Sequence, residues 1–316
     1  MKIHIISTIN GRLDEGMRNI ATHLADEFAK EHRVYRSGLK ELVSIVRNSC
    51  LCDCTMIFAR GNRLVYWLAW VIGWLNKNLW IVCVQQPEEA FLKLTQMHPL
   101  RANYLCLTQE DMKSVKLRKG STVESFSPGI DTERFCPVSR ERQRELKEQY
   151  GFFPEKTLVL HVGHCSEGRG LTDFACITEV QKMVVASGMF SHEETIHALH
   201  QDGVYVHQGY FPHIEQIYQM ADVYLFPTRS TEHVISLPLS VMEALACGVP
   251  VVGYRDMKQL TQIPGEDGSM LLVEDSSQLD VAVKQLDGSK AEHCLLTEAQ
   301  TWKQAARNVL SKIRGV

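Results

Sequence analysis

Short runs of β-branched and apolar residues alternate with longer helical patterns along this chain, and the alternation runs through twice. In the first pass, residues 2–8 (KIHIIST), Arg33–Tyr35, Thr55–Ala59, Leu79–Val84 and Asn103–Thr108 read as strands. Gly16–Lys30, the apolar run from Leu64 and the stretch from Glu88 read as helices between them. Ile20, Leu24 and Phe28 recur at the helical period, which gives the first helix one apolar face. Pro128, Gly129 and Pro137 punctuate a boundary near Phe135–Ser139, and the strongly charged stretch Arg140–Gln149 follows. The pattern then restarts with strands at Thr157–Val162, Lys182–Ala186, Val204–His207, Val223–Pro227 and Pro250–Tyr254. Strands separated by helices pair in parallel through crossovers, so each pass predicts a parallel sheet covered on both faces. The expected fold class is α/β, with two Rossmann-like domains facing across a cleft: residues 1–135 and residues 136–316. Ligands of such sheets bind beyond the carboxyl ends of the strands. An amphipathic helix over Thr297–Ile313 closes the chain and is expected to pack back on the first domain.

A length of 316 residues suffices for two cores, and a charged fraction of 22% against 45% hydrophobic fits a folded soluble protein rather than a disordered one. The net charge of −3 argues against a nucleic-acid partner. It is unevenly spread: residues 1–135 hold 18 Lys+Arg against 14 Asp+Glu (+4), residues 136–316 hold 16 against 23 (−7). The first half therefore meets an anionic surface better than the second. Met1 leads straight into KIHIIS without a basic and then apolar leader, and ten scattered cysteines read as reduced thiols, so a cytoplasmic location is expected. Cys50, Cys52 and Cys54 would share one face if that segment were extended, but three thiols without a fourth ligand make a poor zinc site. His192, His197 and His200 fit a solvated polar helix better than a metal site, and no bound metal is expected.

Leu64–Leu75, LVYWLAWVIGWL, is the longest apolar run and falls short of the roughly 20 residues that a membrane-spanning helix needs. Two placements fit it. It can pack on a sheet face, or its tryptophans with Arg60, Arg63 and Lys77 can make peripheral contact with a membrane.

The segment Ala221–Tyr254 carries the chemistry. Val223–Pro227 reads as a buried strand, a loop runs to about Leu237, and a helix from Pro238 to Cys247 is stopped by Gly248 in the position that follows a helix end. In SLPLSVMEALACG only Glu243 is charged, and its helical neighbours are Leu239, Ser240, Ala246 and Cys247. A carboxylate there points to solvent, pairs with an arginine, or accepts from the vicinal hydroxyls of a ribose. Ser236, Leu237, Leu239 and Ser240 lie where the helix begins, and free N–H groups at a helix start suit a diphosphate.

This run resembles the retaining GT-B glycosyltransferases of the family 4 type (glycosyl transferases group 1), which read Glu-x7-Glu followed by Ala-x-Ala-x-Gly-x-Pro-Val. Here stand Glu243, Ala244, Ala246, Gly248, Pro250 and Val251. Gly129, Ile130, Asp131, Phe135 and Pro137 match the family's interdomain motif; Val162, Gly163, Arg169, Gly170 and Leu171 match its strand-to-loop motif. Tyr218, Ala221, Asp222, Val223 and Pro227 match Tyr-x2-Ala-Asp-Val…Pro, and Trp302 opens the family's terminal helix. The likeness is strong from Phe126 onward and weak before it.

The resemblance implies the GT-B fold and transfer of a sugar, with retention, from a nucleotide-sugar donor to a lipid-linked or cell-envelope polysaccharide acceptor. Charge developing on the β-phosphate would be met by cations and helix N-termini, with no metal and no other cofactor required. Arg169 stands where the family places a lysine, and His164 where it places an arginine. Gln86, within Gln85–Gln86–Pro87, occupies the place of a histidine near the anomeric carbon. Gly16 would belong to the N-terminal loop that approaches the phosphates, behind Asp14 and Glu15. Ile235 replaces the first Glu of Glu-x7-Glu, a residue that contacts the transferred sugar. With His164, Ile235 and Gln86 all departing from the pattern, the alternative is a non-catalytic GT-B protein that binds a nucleotide or a partner glycosyltransferase.

Overall fold

A computed structural model of the chain describes residues 1–8, 16–230, 234–298 and 300–314. The chain divides into two compact units, each built on a six-stranded parallel sheet among the described residues. The first unit comprises Met1–Gly129, Ile235–Leu237 and Gln300–Val316; the second comprises Ile130–Val234 and Pro238–Ala299.

In the first unit the strands are β1 (Lys2–Ser7), β2 (Arg33–Gly38), β3 (Cys54–Phe58), β4 (Leu79–Cys83), β5 (Asn103–Cys106) and β6 (Val123–Ser125), in the order β2-β1-β3-β4-β5-β6. Strands β3, β4 and β5 are buried throughout, which is why they read as continuous apolar runs. Helix α1 (Gly16–Ala29) buries Ile20, Leu24 and Phe28, as its periodicity predicts. Helices α2 (Leu42–Leu51), α3 (Arg63–Leu75) and α4 (Glu89–Met97) contribute Ile45, Val65, Tyr66, Ala69, Ile72 and Phe91 to one core cluster with Ile6, Ile57 and Ile81 of the sheet. Asn62 caps α3 by accepting from the Val65 N–H. This corrects the extended reading of Cys50, Cys52 and Cys54: Cys50 lies in α2, Cys52 ends it and Cys54 starts β3. Among the described residues no cluster of His, Cys, Asp and Glu could hold a metal ion.

The second unit carries β7 (Leu158–Cys165), β8 (Gln181–Ser191), β9 (Tyr205–Gln208), β10 (Val223–Phe226), β11 (Val251–Tyr254) and β12 (Met270–Val273), ordered β12-β11-β10-β7-β8-β9. Its core joins Val159, Leu171, Phe174, Val184, Leu225, Val252 and Val283. The charged stretch becomes α5 (Arg140–Gln149), capped by Ser139. Helices α6 (Glu193–Gln201), α7 (Ile214–Met220), α8 (Leu239–Ala246) and α9 (Leu279–Leu286) complete the unit. Asp222, just before β10, accepts from Lys147 Nζ at 2.6 Å, Gln143 Nε2 at 2.7 Å and the Leu158 N–H at 2.7 Å, tying α5 to the sheet.

The domain boundaries need correction. The changeover falls at Gly129–Ile130, not 135/136, because Phe135 turns its ring edge-on to Tyr218 of the second unit, 5.7 Å away. The terminal helix α10 (Trp302–Arg314) belongs to the first unit: Trp302 stacks on His23 at 4.5 Å, and Lys312 pairs with Glu124 at 2.9 Å. Among the described residues no helix is long and apolar enough to cross a membrane.

Candidate functional site

In the second unit, the carboxyl end of β7 and the start of α8 gather the polar groups. Helix α8 begins after Pro238 and ends at Cys247. Gly248 follows at φ +75, with a β-carbon there falling 2.2 Å from the Ala291 carbonyl oxygen, so glycine is required as the stop. The N–H groups of Leu239 and Ser240 open the helix and have no acceptor within it, as in any first turn.

Glu243 is half-buried on α8, and its Oε2 accepts from the Tyr218 hydroxyl at 2.8 Å. Burial raises this carboxyl to about 7 despite that hydrogen bond and the attraction of Arg134. A group poised there changes charge near neutrality. Tyr218 itself is fully buried and held well above the usual phenol range, first by burial and then by Glu243. Its ring lies 5.8 Å from Tyr224, whose own ring lies 5.9 Å from His161. An aromatic row therefore runs from Glu243 on α8 to His161 in the middle of β7.

At the far end of that row sits Arg169. Only 6% exposed, it forms no ion pair among the described residues, and its Nε has no hydrogen-bond partner. Burial lowers it to about 10. Gly170, at φ +68, lets this turn press against β10, where a β-carbon would stand 2.5 Å from the Pro227 carbonyl oxygen. His161 is fully buried on β7 and donates from Nδ1 to the Leu225 carbonyl at 2.9 Å, which leaves Nε2 as a bare acceptor without a partner. Burial drives its pKa to about 3, with Arg169 and His164 pushing the same way, so it stays neutral. A β-carbon at Gly163 would stand 3.0 Å from His161 Nε2 and 3.5 Å from an Arg169 guanidinium nitrogen. His164 is half-buried where the β7–β8 register shifts. The result is a basic cluster at a strand end whose main charge lacks a counter-ion.

The structure thus brings Arg169, His164, Leu239, Ser240 and Glu243 into one unit and places Gly16, Gln86, Ser236 and Leu237 in the other. Gly16 faces Ile235 so closely that a β-carbon would meet its Cδ1 at 2.8 Å. Ser236, expected at the phosphates, is hydrogen-bonded within the first unit. Its N–H donates to the Val84 carbonyl at 2.9 Å and its hydroxyl to Asp111 at 2.8 Å, so both donors are spent within the first unit. Leu237 is buried beside it. Gln86 is exposed, and its carbonyl accepts from Arg60 at 3.2 Å. Asp14 and Glu15 lie outside the described residues. Tyr224 and His161 escaped the sequence reading; a histidine inside the buried run LVLHV was the signal available.

Residues 172–287 match the family model for glycosyl transferases group 1. Over these residues the second unit is similar to group 1 glycosyltransferases, and the two six-stranded parallel sheets are those of a GT-B fold. D-inositol 3-phosphate glycosyltransferase of Mycolicibacterium gilvum is 23% identical over 223 residues, 59% of this chain and 49% of that protein. The chain spans about half the length of the curated relatives it matches. Over essentially the full length of both chains, the fold is similar to Anabaena Alr3699/HepE solved with UDP-glucose (TM-score 0.79, 13% identity, 100% of each chain). It is likewise similar to sucrose-phosphate synthase from Thermosynechococcus elongatus (TM-score 0.78, 17% identity, 99% and 98%). Within the matched residues lie Tyr218, Tyr224 and Glu243, while His161, His164 and Arg169 immediately precede them.

Proposed function

We propose that the chain is a retaining glycosyltransferase that moves a sugar from a nucleotide-sugar donor to a hydroxyl of a lipid-linked or polysaccharide acceptor. The observation that carries this reading is Arg169: a buried guanidinium without a carboxylate partner among the described residues, beside His161 and His164. Leaving a cation so placed is costly unless an anion arrives, and a diphosphate supplies one. Glu243 accepts from the ribose hydroxyls, and the N–H groups of Leu239 and Ser240 face the diphosphate at a positive helix end. As the bond from the anomeric carbon to the diphosphate oxygen breaks, the charge left on the β-phosphate falls to Arg169 and His164. The acceptor hydroxyl forms the new bond and gives up its proton, so glycoside, nucleoside diphosphate and one proton leave. The HepE complex makes UDP-glucose the first donor to test.

The test is a calorimetric titration of UDP-glucose across pH, followed by assay of sugar transfer. Ribose hydroxyls donate to the ionised carboxylate, and in the empty site that carboxyl titrates at about 7. Binding below that pH must expel a proton, so affinity is expected to rise by up to about tenfold per unit as pH approaches 7, then to level off. Glu243→Gln should flatten this dependence and lower affinity above neutrality by roughly ten- to a hundredfold. A wild-type affinity that stays level from about pH 5 to about pH 8 would contradict the assigned role.

A further inference from the structure

The first unit carries an apolar surface that a nucleotide site does not need. Helix α3 buries Val65, Tyr66, Ala69 and Ile72 against its sheet and turns its other side outward. On that side Trp67 is 54%, Trp70 45% and Trp74 59% exposed, with Leu64 and Val71 completing the stripe. Leu64, Trp67, Val71 and Trp74 follow one another at steps of three and four, so they form a single row along the helix. Helix α2, which packs beside α3, adds Leu42, Val43 and Val46, all exposed. More than half of the exposed large hydrophobic residues among those described lie on these two helices. The sheet-packing placement of Leu64–Leu75 accounts for one side of the helix, and the membrane placement concerns the other.

We infer that this face docks on an anionic phospholipid bilayer. Three features select that occupant. Tryptophan, with an apolar body and one N–H, suits the boundary between headgroups and acyl chains. Across their 23 residues α2 and α3 contain no Asp or Glu, and their charges are Arg47 and Arg63, both exposed. Lys77 follows α3, and the Arg101 guanidinium lies 3.6 Å over the Trp74 ring, setting a cation at the level of the indoles. The nearest acids in sequence, Glu41 and Asp53, flank α2, and Asp53 is engaged by the Lys2 N–H. At 13 residues, α3 is about 20 Å long, too short to span the hydrocarbon core, so it lies along the surface. This inference rests on the first unit alone and stands or falls separately from nucleotide binding.

Flotation of the full chain with phosphatidylglycerol–phosphatidylcholine vesicles tests it. The wild type should float with these vesicles, less so at high salt, and remain behind with pure phosphatidylcholine. Joint replacement Trp67→Ser, Trp70→Ser and Trp74→Ser should lower partitioning by about tenfold per tryptophan, at least a hundredfold together. All three side chains are exposed, so folding and UDP-glucose binding should be unchanged. Arg47→Glu with Arg63→Glu, which leaves the apolar row intact, should remove the preference for phosphatidylglycerol. Failure of the wild type to float with anionic vesicles, or equal flotation of the tryptophan variant, would overturn the inference. So would a wild-type dimer that the tryptophan variant abolishes without any lipid binding, since the face would then serve a second copy.

Discussion

Arg169→Ala is expected to lower nucleotide-sugar affinity and transfer together by roughly 100- to 1,000-fold, while raising the melting temperature of the empty protein. Both effects have one cause. Arg169 is 6% exposed, its guanidinium lacks a carboxylate partner among the described residues, and burial lowers it to about 10. A base whose folded pKa lies below its unfolded value destabilises the fold wherever it is charged. That cost is full below about 10 and relaxes as pH rises above it toward the ordinary arginine range, so it operates throughout the physiological range. Removing the charge relieves roughly a few kcal/mol, which for a unit of this size is several degrees. With donor present the order should reverse, because binding stabilises the wild type and hardly the variant. Thermal melts with and without UDP-glucose read both signs. An Arg169→Ala protein that melts lower when empty would show that the arginine is structurally paired.

Asp222→Ala should cost about 3–5 kcal/mol of stability, the range seen when one partner of a buried ion pair is removed. Lys147 would remain almost fully buried with its charge unmet, and the Gln143 amide and the Leu158 N–H would each lose an acceptor. Asp222 thereby fixes α5 and β7 to the segment that enters β10. A Lys147→Met, Asp222→Leu pair should lose much less, since replacing both charges leaves nothing stranded. Urea melts of the single and double variants decide this. Equal losses in the two would mean that shape rather than charge compensation governs the site. The resemblance marks Asp222 as part of a family motif; its contacts make it a structural joint of the sheet.

What the sequence revealed depended on how local the governing physics is. Buried parallel strands such as LWIVC and VYLF show themselves as apolar runs, and α8 is bounded by Pro238 and Gly248, so these elements were legible. The three-residue β6 (VES) and the four-residue β12 (MLLV) escaped, as did α2, because short or mixed segments acquire their structure from neighbouring strands and core contacts. Glu243 stood out as the one charge in an apolar helix, and Arg169 through the family resemblance. Their relation did not, since it passes through Tyr218, Tyr224 and His161, which topology alone brings together. The bonds of Ser236 were hidden for the same reason: its donors meet Val84 and Asp111, which are far away in sequence. Ile235 belongs to that same stitched segment, resting on Gly16 where the family pattern has a carboxylate.

The most direct measurement is a crystal structure of the chain soaked with UDP. The account predicts the β-phosphate within hydrogen-bond distance of Arg169, and the ribose hydroxyls on Glu243, whose other oxygen keeps the Tyr218 bond. Nucleotide density away from these two residues, or none at saturating UDP, would contradict it.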